Sequence, residues 1–171
     1  METSLRDDLF KRVVGDHMGI LLKTAHGFAN GAADRDDLVQ EMLLAVWQAL
    51  PSYNEACQLS TFLYRVAHNR ALNWQRSRTR YGRRLDRFAE FPHLAFGAGD
   101  AHEAEQQLEW LYGMIRQLPP VDRTLIMLHL DGLSHQAVAE VSGLSANNVG
   151  VRLHRIKQWL SQQKPSDLHE L

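Results

Sequence analysis

The chain reads as all-α, with two small helical domains joined by a linker, and three observations lead there. Apolar residues recur at three- and four-residue spacing nearly throughout, while hardly any segment alternates with period two and β-branched residues are scattered. Residues 88–101 hold Pro92, Gly97 and Gly99, show no clear period and read as the linker. With 171 residues there is room for one large domain or two small ones, and the break divides the chain into 1–87 and 102–171. A hydrophobic content of 44% with 23% charged residues excludes a disordered chain.

The elements follow in order. Leu9, Val13, His17 and Ile20/Leu21 continue into Ala25 and Phe28, giving one or two helices broken near Gly15-Asp16 and ended by Gly31. Asp34 offers the next N-cap, with Asp36 and Asp37 beside the positive end of the helix dipole. Leu38, Met42, Ala45/Val46 and Ala49 form the buried stripe of that helix, and Pro51 stops it. Its opposite face carries Asp37, Gln40, Glu41, Leu44 and Gln48. Residues 51–59 read as a loop. Ser60 is the expected cap of a helix with Leu63, Val66/Ala67, Arg70/Ala71 and Trp74 inside. Phe62 and Trp74 are expected in the core, His68 exposed or facing DNA.

The second half opens with a helix at about 102–117 with Leu108, Leu111/Tyr112 and Ile115 inside. Leu118-Pro119-Pro120 ends it, and the second proline suits the start of the next helix, which runs to Leu130 and stops at Asp131-Gly132. Ser134 caps a short helix over 135–141, Gly143-Leu144 turns the chain, and Ser145 caps a last helix to about Ser161. This Ser-cap, Gly-turn, Ser-cap spacing is that of a helix-turn-helix, with Val138 and Ala139 small enough for a close helix crossing. Val149 and Leu153 bury the last helix. Asn147, Asn148, Arg152, His154, Arg155 and Lys157 are expected on its exposed side, a set suited to the major groove.

Charge points the same way. The net charge of −1 conceals a block at 61–87 with eight arginines against Asp86 alone, flanked by acidic stretches. Such a block is the footprint of a phosphate-binding surface, with a solvated basic helix as the alternative.

Two sets of motifs then resemble one family. Leu118-Pro119-Pro120-Val121-Asp122-Arg123, Gly132-Leu133-Ser134, Val138-Ala139-Glu140, Gly143-Leu144-Ser145 and Asn148 to Arg155 resemble the region-four domain of extracytoplasmic-function (ECF) sigma factors. Asp37 to Glu41, Trp47, the loop after Pro51 and Thr61 to Arg70 resemble their region-two domain. The resemblance implies a subunit that brings core RNA polymerase to particular promoters. It implies polymerase contacts at Asp37, Gln40, Glu41, Leu44 and Gln48. It places the promoter −10 element at Tyr53, Asn54, Tyr64, Arg65, Asn69, Asn73, Arg76 and Arg80. It places the −35 element at Ser145, Asn147, Asn148, Arg152, His154 and Arg155. It also implies an anti-sigma factor as a partner. Three positions depart from the family pattern: Gly150 stands where many relatives carry Arg or Lys, Gln136-Ala137 replaces an acidic pair, and Asn73 replaces Asp.

No phosphate loop, nucleophile elbow or HExxH stands in the chain, and its nine histidines form no recognised ligand pattern, so neither enzyme activity nor any cofactor or metal is expected. The single Cys57 cannot form an internal disulfide, and no apolar run approaches the roughly 20 residues of a membrane span. The N-terminus carries no apolar leader core, so a cytoplasmic location is expected. Two competing readings stay open: a one-component helix-turn-helix regulator acting without polymerase, and a sigma-like decoy that binds a regulator but not DNA.

Overall fold

The computed structural model describes the backbone of residues 2–82 and 100–163, and the side chains of 6–79 and 104–163. Among the described residues every regular element is a helix. They are α1 (Glu2–Phe28), α2 (Ala32–Ala49), a single 3-10 turn (Leu50–Ser52), α3 (Leu59–Gly82), α4 (Asp100–Gln117), α5 (Pro120–Leu130), α6 (His135–Ser142) and α7 (Ala146–Gln162). The linker expected over 88–101 lies outside the described residues except at Asp100 and Ala101, which already belong to α4.

Helices α1, α2 and α3 pack on one another around Leu21, Leu38, Met42, Val46, Leu63 and Ala67, all removed from solvent. Helices α5, α6 and α7 form the second unit around Leu125, Leu128, Val138, Val149 and Leu153. The units also touch, because α1 meets α4 and α5 while α3 meets α5 and α6. Gly27 of α1 lets the side chain of Met127 lie directly on its backbone; a Cβ there would stand 2.1 Å from Sδ.

Several local expectations are corrected. The first helix is unbroken through Gly15 and Gly19, where a Cβ would meet nothing within 4 Å, and the stripe Val13, Leu21, Ala25 and Phe28 holds the helix on the core. Gly31 rather than Asp34 precedes α2, with the amide of Arg35 donating to the Gly31 carbonyl, which leaves Asp34 to pair with Arg78. Helix α3 starts at Leu59, its Phe62 amide donating to the Gln58 carbonyl, so Ser60 lies inside the first turn and caps nothing. Leu108 is 52% exposed, because α4 packs along one side only.

The helix-turn-helix matches its expectation closely. The Ser134 hydroxyl accepts from the Ala137 amide and the Ser145 hydroxyl from the Asn148 amide, both at 3.2 Å. Gly143 has φ +76, the left-handed conformation that the turn requires and that glycine adopts without steric cost.

Candidate nucleic-acid interface

On α3, the residues Arg65, Asn69, Asn73 and Arg76 recur every three or four positions and are all exposed, so they form one polar row along the helix. Arg80 continues the spacing, but its side chain lies outside the described residues, as do Arg83, Arg84 and Arg87. Beside this row the loop after Pro51 folds back. The Tyr53 hydroxyl donates to the Cys57 carbonyl at 2.9 Å, the Asn54 side-chain oxygen accepts from the Ala56 amide at 3.2 Å, and Glu55 takes a positive φ of 59 at the apex. This closure sets the Tyr53 ring 5.1 Å from that of Phe62.

The result is a recess of about 600 Å³ lined by Tyr53, Asn54, Phe62, Arg65 and Asn69, with Glu140 of α6 on its rim. Two aromatic faces, two amides and a guanidinium in one concavity can stack a flat heterocycle, read its polar edge and neutralise a phosphate. Phe62 had been expected in the core; it is half-buried and forms a wall of this recess. No sequence spacing betrays its pairing with Tyr53, which depends on the fold-back of the loop.

Two other α3 residues turn elsewhere. Tyr64, expected toward the −10 element, donates its hydroxyl to Asp131 of the second unit at 2.9 Å. Burial and this bond raise its pKa. His68, expected to be exposed, is 3% exposed, and burial lowers its pKa to about 4 against a partial offset from the Asp131 charge. Arg65 donates to the Glu140 carbonyl at 3.3 Å, so α6 abuts one side of the recess.

On α2, Asp37, Gln40, Leu44 and Gln48 share an exposed face, with Leu44 55% exposed. Glu41 is half-buried and ion-paired with Arg70 of α3, which fixes that face relative to the polar row.

On α7, Asn147, Asn148, His154, Arg155 and Lys157 are exposed as expected. Arg152 is not: it is half-buried, bonded to Asp122 at 2.6 Å and to the Asn148 side chain at 3.3 Å, and it ties α7 to the start of α5. Ser145 is committed to its cap. The outer side of α7 is uncovered, in contrast to the recess on α3.

Between the units lies a polar seam. Lys23 donates to Asp131 at 2.8 Å, His26 and Glu109 approach at 2.8 Å, and Arg116 donates to the His26 carbonyl at 3.0 Å. Arg123, 5% exposed, donates to the carbonyls of Arg116 (2.6 Å) and Leu118 (3.0 Å) and to the side chain of Gln75 (3.1 Å), with its guanidinium 5.2 Å over the Phe28 ring.

Comparison with known proteins agrees with this layout. Residues 13–81 match the family Sigma-70 region 2, and residues 108–160 match Sigma-70, region 4. The ECF RNA polymerase sigma factor SigF of Caulobacter vibrioides is 30% identical over 132 residues, spanning 76% of this chain and 70% of that protein. The RNA polymerase sigma factor NccH of Alcaligenes xylosoxydans xylosoxydans is 27% identical over 89% of this chain and 84% of its own. Among solved structures, the sigma factor RpoE in complex with the anti-sigma factor NepR from Bartonella quintana has the same fold, with a TM-score of 0.71 and 21% identity over 91% of this chain and 95% of that one. CnrH in complex with the cytosolic domain of CnrY gives 0.65 and 22% over 92% and 91%.

With these matches the two-unit helical protein and its helix-turn-helix are those of a DNA-binding subunit of transcription initiation. The chain belongs to the RNA polymerase sigma factors of the extracytoplasmic-function type.

Proposed function

We propose that this sigma factor reads a promoter at two places, the −10 element in the recess on α3 and the −35 element on the outer side of α7, while the exposed face of α2 docks on core polymerase. The recess carries the reading. Tyr53, Asn54, Phe62 and Asn69 form a chamber for an unstacked base, and Arg65, Asn73 and Arg76 run beside it where the strand's phosphates would pass. Extruding a base costs a few kcal/mol, which stacking against the two rings and hydrogen bonds to the amides offset. On α7, Asn147, Asn148, His154 and Arg155 meet base edges and phosphates. Arg152 and Tyr64 act by positioning: one orients α7, the other joins the two units.

With α6 on the rim and Arg65 engaged by Glu140, the recess accepts a strand once the second unit moves aside. Core polymerase, by holding the two units apart at fixed separation, supplies that movement and the effective concentration that lets two weak contacts act together. The protein works in the cytoplasm and performs no catalysis itself. An anti-sigma factor is its regulator, in keeping with the anti-sigma factor NepR bound to one of the structural neighbours.

Run-off transcription with purified core polymerase on a promoter library tests the reading. Sequence-selective initiation should depend on the protein and fall by roughly 5-fold or more with Asn69→Ala, the loss expected for one base contact. Arg155→Ala should weaken use of the upstream element. Specific DNA binding by the protein alone, unaffected by core, would replace this reading with a one-component regulator.

A further inference from the structure

Gly150 is the fifth residue of the recognition helix and is partly exposed, and the space it leaves is not idle. A Cβ at Gly150 would meet the imidazole of His135 at 3.4 Å from Nδ1 and 3.6 Å from Cε1, so that ring, from the preceding helix, lies over the glycine backbone. His129 is its neighbour, with ring centroids 6.2 Å apart and planes at 50°. Around the glycine is a notch of about 430 Å³, lined by His135, Ala146, Asn147, Val151, His154 and Arg155. Val151 is 46% exposed, an apolar side chain set among polar ones.

We infer that this notch reads the major-groove edge of one A·T base pair, and that His135 on α6 is a specificity-determining residue of promoter recognition. This rests on the proposed role of α7 at the −35 element. The chemistry of the lining selects the pair. A carboxamide such as Asn147 can bond the N6 and N7 positions of adenine together, and an apolar group such as Val151 contacts the C5-methyl of thymine. A long side chain at 150 would occupy the space that the base edge needs. Its absence lets His135 rise over the helix and present a ring nitrogen to the same edge, so a contact missing from α7 is supplied by α6. A glycine inside a helix is disfavoured relative to almost any other residue, and a role as a vacancy gives it a reason to stand there.

The test uses holoenzyme reconstituted from core polymerase and the full chain, on templates randomised across the upstream element. Wild type should prefer A·T at one position by roughly 5- to 150-fold, the range of a good base contact. His135→Ala and Gly150→Gln should each reduce that preference to about 2-fold at that position alone. Preferences elsewhere should be unchanged and neither variant should melt at a lower temperature; glutamine is a better helix former than glycine, so helix melting cannot explain the loss. Replacing the selected thymine by deoxyuracil should weaken wild type and leave Val151→Ala unaffected. An unchanged preference profile in His135→Ala, or a uniform weakening at every position, would overturn the inference. If wild type initiates with no upstream preference at all, the role given to α7 fails first and the inference fails with it.

Discussion

The hydroxyl of Tyr64 on α3 and the carboxylate of Asp131 at the end of α5 are joined by a 2.9 Å hydrogen bond across 67 positions of sequence. The other carboxylate oxygen accepts from Lys23 of α1 at 2.8 Å. A negative charge at a helix C-terminus is unfavourable against the helix dipole, so Asp131 is tolerated there because two donors from the other unit meet it. Replacing Asp131 by Ala leaves Tyr64 unpaired and frees Lys23. Urea unfolding should report a loss of about 1–3 kcal/mol, and small-angle scattering an increased radius of gyration. An unaltered radius would show that the apolar contacts alone hold the units together.

His68 makes stability depend on acid. Its burial favours the neutral ring and lowers its pKa from 6.5 to about 4, so the unfolded chain takes up a proton where the folded chain does not. Stability is therefore full above about pH 6.5 and declines as pH falls toward 4, by up to about 3 kcal/mol at one pKa unit per 1.36 kcal/mol. His129, with its pKa lowered by burial and then by Lys157, adds a slope of the same sign. Comparison with His68→Gln isolates the buried ring: denaturation midpoints for that variant should change much less between pH 7 and pH 4.5.

Among the described residues Arg123 is a buried cation that no carboxylate meets, held by two carbonyls, an amide oxygen and an aromatic face. Burial, then the nearby Arg116, lowers its pKa to about 10, so it stays charged at neutral pH. Lysine carries the charge but not the planar fork that reaches these acceptors together. Arg123→Lys should cost on the order of 3 kcal/mol, measured as a fall in Tm.

The contact between Gly27 and Met127 gives a double-mutant test. Gly27→Ala gains helix propensity of about 1 kcal/mol but drives the new methyl into the Met127 thioether. The single substitution should be neutral or destabilising, whereas in a Met127→Ala background it should stabilise by about 1 kcal/mol. Equal effects in both backgrounds would mean that Met127 swings away freely.

The helix-turn-helix was legible because each of its turns is enforced by a residue type with one physical use: two serine caps and a left-handed glycine. The row Arg65, Asn69, Asn73 and Arg76 came from the family resemblance, and its residues share an exposed face because they recur every three or four positions. Tyr64 and His68 were misplaced for a single reason. With Ala71 and Gln75 they form the neighbouring stripe of α3, and what covers that stripe is α5 and α6, more than 40 residues later in the chain. Periodicity tells which residues share a face; it does not tell that a second unit will lie upon it. Arg152 was misplaced likewise, because Asp122 reaches it from a different helix.

The dependence of the first unit on Arg123 has a temporal side. When α3 has left the ribosome, Phe28 lacks the guanidinium that will cover its ring, and the face of Gly27 is bare. About fifty more residues must be made before Asp131 arrives, which takes roughly 3–10 s at bacterial elongation rates of about 5–20 residues per second. For that interval a bundle of α1, α2 and α3 presents the recess on α3 without Glu140 of α6 on its rim. The recess of a newborn chain is thus briefly more open than that of the finished protein, which has closed upon itself.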